Sequence, residues 1–64
     1  MNIVDALTAV VKQCPDPYAK AYARRALIEN GEARKATVAY VMCNVAQWRG
    51  AVAREAKAIM KAHR

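Results

Sequence analysis

Ala36-Thr37-Val38-Ala39-Tyr40-Val41-Met42-Cys43-Asn44-Val45-Ala46-Gln47-Trp48 is the longest uncharged stretch of this 64-residue chain, and its reading decides the fold. As a helix it spans about 20 Å, short of the roughly 30 Å hydrocarbon core of a bilayer. It is therefore expected to pack against protein and not lipid. Its β-branched valines suit a strand. The methionine, cysteine and alanines, and the helix-starting composition just before it, favour a helix instead. A helix apolar nearly all round is one surrounded by protein. The expectation is a helix from Glu32 to about Gln47 at the centre of the fold, covered by neighbouring helices or by a second copy of the chain.

Toward the amino terminus the punctuation is clear. Asn30-Gly31 closes a helix running from Pro17 to about Glu29, with glycine supplying the left-handed backbone that ends helices. Tyr18, Tyr22 and Leu27, with alanines between them, share one side of that helix, and Lys20, Arg24 and Arg25 another. Cys14-Pro15-Asp16-Pro17 is the strongest local signal in the chain. Two prolines around an aspartate stop one helix and start the next, with Asp16 as N-cap and Pro17 as first helical residue. Before it, Ile3, Val4, Leu7, Val10 and Val11 recur at helical spacing between Ile3 and Gln13. Asp5 in the first turn and Lys12 in the last complement the helix dipole.

Toward the carboxyl terminus, Gly50 poses a choice. Either Trp48-Arg49-Gly50 is a tight turn, or one long helix passes through the glycine at a cost of about 1 kcal/mol relative to alanine. The turn is preferred, because it folds Ala51–His63 back onto the central helix. That last helix then points Val52, Ala56, Ile59, Met60 and His63 inward. The fold expected is all-α, a compact three- or four-helix bundle with a central apolar helix, in one domain over residues 1–64.

Length and composition make that domain thin. A chain this short buries only about 60% of the surface its unfolded form exposes. There is no phenylalanine, the only leucines are Leu7 and Leu27, and alanine supplies much of the apolar content. Alanine favours the helix but adds little burial, so self-association into a homo-oligomer is a natural remedy. The start of the chain does not read as a signal peptide, because Asp5 interrupts a short apolar run. A cytoplasmic protein with no membrane segment is expected.

Catalytic and metal chemistry find little support. Serine is absent, the single histidine, His63, sits at the end of the chain, and no glycine-rich phosphate loop exists. Glu29 and Glu32 flank the Asn30-Gly31 turn and imitate an acid–base pair, but a solvated turn explains them more simply. Cys14 and Cys43 lie far apart without a second cysteine nearby, so no metal-ligand spacing arises. Both read as small buried hydrophobes, with a Cys14–Cys43 bridge as the alternative. No enzyme activity, cofactor or metal is expected.

Charge points to partners instead. Eleven basic residues against five acidic ones give a net charge of +6, which favours an acidic protein surface or nucleic acid. Arg54, Lys57, Lys61 and Arg64 fall three, four and three residues apart, so they form one stripe along a helix. Arg49, Lys20, Arg24 and Arg25 are further candidates for the same surface, with Arg34 and Lys35 able to widen it. The competing account is a solvated face that keeps an alanine-rich protein in solution. Helices two and three, joined by a short glycine turn, also invite a helix-turn-helix reading. The would-be recognition helix is apolar, however, with polar groups only near Arg34, Lys35 and Thr37. Trp48 reads either as an interface anchor or as a residue closing the core beside the Gly50 turn. Asn44 needs a partner for its amide, and Tyr18 and Tyr22 are expected to pack at a helix edge.

The segment Tyr40-Val41-Met42-Cys43-Asn44-Val45-Ala46-Gln47-Trp48-Arg49-Gly50, followed by Ala53-Arg54-Glu55-Ala56-Lys57, resembles short accessory proteins encoded by tailed bacteriophages. There, a Y-x3-N-x3-W-R-G segment precedes a basic helix. The likeness covers the C-terminal half of the chain and implies no catalytic residue. It implies a small protein of the kind phages use to bind and redirect host factors, acting in the host cytoplasm. Together with the charge, it gives the expectation of a non-catalytic module docking on an acidic surface of a host protein. The alternatives are direct, weakly sequence-specific nucleic-acid binding and a homo-oligomeric structural role.

Overall fold

Local sequence fixes where each helix starts. The computed structural model describes all 64 residues and holds four α-helices: α1 (Ile3–Gln13), α2 (Pro17–Ile28), α3 (Gly31–Met42) and α4 (Ala51–His63). Asn2 and Asp5 form a reciprocal capping box at α1: the Asn2 side chain accepts from the Asp5 amide at 2.8 Å, and Asp5 accepts from the Asn2 amide at 3.2 Å. This gives Asp5 a role beyond its favourable place on the helix dipole. Asp16 caps α2 as anticipated, accepting from the amides of Tyr18 and Ala19 at 2.8 and 3.1 Å. Pro17 follows at the first helical position.

The two glycines serve the turns. Gly31 has φ +54° and Gly50 φ +115°, both on the side that L-residues avoid. Gly50 stands immediately before α4, so the chain turns there and does not continue as one long helix. α4 then runs over the expected Ala51–His63.

The third helix differs from expectation. It stops at Met42 and not near Gln47. Asn44 supplies the physical reason. In a continuing helix its main-chain N–H would bond the Tyr40 carbonyl; here its side-chain amide takes that carbonyl at 2.9 Å. The Asn44 N–H bonds Val41 instead, three residues back. Side-chain competition of this kind is what makes asparagine a helix terminator. Residues 43–50 form an irregular connector held by a further three-back bond from the Trp48 N–H to the Val45 carbonyl, 3.0 Å.

Packing follows a ring. α1 packs on α2, α2 on α3, α3 on α4 and α4 on α1, while the backbones of the diagonal pairs α1–α3 and α2–α4 do not approach each other closely. The molecule measures 28 × 21 × 17 Å. One core sits inside the ring: Leu7, Val10 and Cys14 from α1 and its end, Ala19, Ala23 and Ala26 from α2, Val38 and Val41 from α3, Val45 and Trp48 from the connector, and Ala53, Ala56 and Met60 from α4, with Ala6 and Ala9 beside them. Seven of these fifteen residues are alanine. A buried alanine contributes far less than the roughly 1.5–3 kcal/mol of a buried leucine, valine or methionine, so the core is as thin as the composition implies.

Several facing assignments change. α3 is not enclosed: only Thr37, Val38 and Val41 are buried, and Tyr40 is 58% exposed. It is one side of the ring and not its centre. Val4, Tyr18 and Val52 are exposed, whereas Ala53 takes the inward place expected of Val52. Cys14 is buried but Cys43 is exposed, and both thiols are free. Trp48 is 5% exposed and closes the core beside the Gly50 turn. No helix is long and apolar enough to cross a membrane.

Candidate interaction surface

The five carboxylates are all engaged locally. Asp5 and Asp16 cap helices. Glu29 accepts from Arg25 Nε at 3.3 Å and from the Thr37 hydroxyl. Glu32 pairs with Lys35, and Glu55 with the terminal amino group of Met1, each at 3.7 Å. Of the eleven basic side chains, only Arg25 and Lys35 therefore hold a carboxylate partner. Two more bond backbone carbonyls. Arg34 donates to Ala26 and Leu27 at 2.9 and 3.3 Å, satisfying the end of α2. Lys57 donates to the Trp48 carbonyl. Lys12, Lys20, Arg24, Arg49, Arg54, Lys61 and Arg64 form no ion pair or side-chain hydrogen bond within the protein.

These cations are not spread evenly. The buried residues Ala53, Ala56 and Met60 mark the inner side of α4. Glu55 reaches Met1 on the flank where α1 packs. Arg54, Lys57, Lys61 and Arg64 follow the other flank, where Lys57 meets the connector. The α3–α4 seam is the slightest of the four helix contacts. Next to it a shallow concavity of about 380 Å³ is lined by Ala46, Trp48, Arg49, Gly50, Ala53, Arg54 and Lys57. Arg49 thus joins the α4 stripe through the fold, although it lies outside the helix.

The α2 cations do not join it. α2 and α4 occupy opposite corners of the ring, so Lys20 and Arg24 belong to a different side of the molecule. Arg25 is paired with Glu29, Arg34 with backbone, and Lys35 with Glu32. The wider positive surface considered from the sequence is divided into two.

The two helices that invited a helix-turn-helix reading meet at two side-chain contacts. Glu29, just past the end of α2, meets Thr37 in the middle of α3, and the Tyr22 and Tyr40 rings stack seven residues back along α2 and three on along α3, with centroids 5.4 Å apart and planes 21° apart. These contacts, with Arg34 reaching back to the Ala26 and Leu27 carbonyls, hold α2 and α3 together across the short turn. The pair carries a second concavity, about 470 Å³, between Tyr22, Arg25 and Glu29 on the α2 side and Ala33, Ala36, Thr37 and Tyr40 of α3. Sequence reading missed this cleft. Its one signal was the tyrosine spacing, which needed the α2–α3 register to become a site.

No three of the His, Cys, Asp and Glu side chains come together as metal ligands would. Compared with protein-family models, curated proteins and solved structures, the chain matches none.

Proposed function

We propose that this protein is a small non-catalytic binding module that docks the Arg49–Arg54–Lys57–Lys61–Arg64 face onto an acidic surface of a partner protein. The observation that carries this reading is the disposition of charge. Every carboxylate is engaged elsewhere, while one flank of α4 and the adjoining turn hold five cations without a carboxylate among them. Unpaired charges at a concave rim steer an oppositely charged partner and set its orientation. Trp48 is buried beneath them and fixes the turn that presents Arg49. The likeness of the C-terminal half to phage accessory proteins supports a host protein as the target, modulated by being bound.

Immobilised protein exposed to nuclease-treated bacterial lysate tests the reading. One dominant acidic partner is expected, lost when Arg54 and Lys61 are changed to glutamate and weakened by added salt. Retention of DNA or RNA in place of protein, with log affinity falling linearly with log salt, would transfer the surface to direct nucleic-acid binding. A capture that survives the charge reversal would refute the assignment.

A further inference from the structure

The α2–α3 cleft lies away from the α4 flank and has a different chemistry. Tyr40 stacks on Tyr22 at one end, yet 58% of Tyr40 stays exposed. At the other end Glu29 is held in place: its side chain is 18% exposed, and it accepts from both Arg25 and Thr37. Arg25, 68% exposed, has one nitrogen on Glu29 and the rest of its guanidinium toward solvent. Two alanines of α3 leave the space between these groups open. A flat aromatic surface therefore stands beside a fixed acceptor and a free donor fork.

From this juxtaposition we infer that the cleft binds a purine base, stacked on the exposed ring of Tyr40 with its polar edge on Arg25 and Glu29. Purines suit it for three reasons. Every base has a π-face, and the two-ring bases offer the larger one to an aromatic platform. Guanine and adenine each carry a donor and an acceptor on the same edge, matching a carboxylate next to a guanidinium; cytosine shares this edge pattern, so the larger ring is what favours the purines over it. A net charge of +6 disfavours cationic ring compounds and favours a ring that carries phosphate. The base can come from a free nucleotide or from an unpaired strand, since the recognising chemistry is the same.

Titration of the isotope-labelled protein with GMP, AMP, CMP and inorganic phosphate, followed by amide NMR, tests this. GMP and AMP are expected to shift Tyr22, Arg25, Glu29 and Tyr40 with saturation; phosphate alone leaves them unmoved, and CMP binds more weakly. Tyr40→Ala should weaken the purine nucleotides by about tenfold, and Tyr40→Phe should retain them, because stacking needs the ring and not the hydroxyl. Both variants are checked for native helicity, which an exposed ring does not govern. A short single-stranded purine oligonucleotide separates the sources: tighter binding than the mononucleotide assigns the site to a strand, and equal or weaker binding to a free nucleotide. The inference is overturned if purine nucleotides at millimolar concentration leave the cleft unperturbed, if phosphate produces the same shifts, or if CMP binds as well as GMP. Arg54→Glu with Lys61→Glu should leave the shifted residues and the purine-over-CMP preference unchanged, with affinity altered only by the drop in net charge, so the outcome is distinguishable from that of the α4 surface.

Discussion

The side-chain nitrogen of Lys57 donates to the main-chain carbonyl of Trp48, which ties the middle of α4 to the connector that delivers Trp48 to the core. One residue of the basic stripe therefore holds the fold together while its neighbours face solvent. Removing a charged donor from a partly buried carbonyl costs about 1–2 kcal/mol, whereas a substitution of exposed Arg54 stays within about 0.5 kcal/mol. Urea denaturation of Lys57→Ala and Arg54→Ala should show that difference. Equal midpoints would mean that the Lys57 bond adds nothing to stability.

Asp16 and Asn30 occupy equivalent places before α2 and α3, but only Asp16 makes a side-chain capping bond. Asp16→Ala is expected to cost about 1 kcal/mol, and Asn30→Ala a few tenths. Thermal melts of the pair check this, and a larger loss at Asn30 would contradict the cap geometry.

Those caps also show why much of the fold could be read from the residues. Asp16-Pro17, Asn30-Gly31 and Gly50 act through backbone geometry within a few residues, and the apolar spacing from Ile3 marks α1, so all four helix starts are legible without tertiary information. The end of α3 was not. From Ala36 to Trp48 the chain is uncharged and mostly apolar, and such a run carries no periodicity that separates helix from packed irregular chain. Val45 and Trp48 are core residues reached from a connector, and the need of the Asn44 amide for a partner does not by itself reveal that the partner is the Tyr40 carbonyl of its own helix. The α4 stripe was legible because it follows helical spacing alone. The placement of Arg49 beside it, the separation of Lys20 and Arg24 from it, and the Tyr22–Tyr40 cleft depend on how the ring closes, which spacing within one helix does not encode.

Gly50 and Gly31 have open space where a Cβ would sit, so any penalty at these positions is conformational. Gly31 at φ +54° lies in the left-handed region, where alanine costs about 1 kcal/mol. Gly50 at φ +115° lies where almost only glycine is found, and alanine there costs about 2–3 kcal/mol. Gly50→Ala should accordingly melt well below Gly31→Ala. The reverse order would indicate that the chain passes Gly50 in another conformation.

Met60 is fully buried, and it is the largest α4 side chain in a core otherwise dominated by alanine. Truncating it to alanine leaves a cavity and costs about 2–5 kcal/mol. A domain of this size holds only about 3–5 kcal/mol from its core. Met60→Ala should therefore be largely unfolded by circular dichroism at room temperature, while Val52→Ala, at an exposed position of the same helix, keeps its helicity. A folded Met60→Ala would show that another interaction, such as self-association, carries much of the stability, and its melt should then depend on concentration.

The two thiols give a direct probe of the corrected end of α3. Cys43 is exposed where the helix stops, and Cys14 is fully buried between α1 and α2. A thiol reagent needs access to sulfur, and modification of a buried cysteine must wait for the chain to open. Under native conditions a disulfide reagent should modify Cys43 rapidly and Cys14 only at the rate of unfolding; in denaturant both should react at once. If α3 instead continued to Gln47 inside the bundle, Cys43 would be protected as well. Rapid single-site labelling that Cys43→Ser abolishes is the outcome that the observed chain path requires.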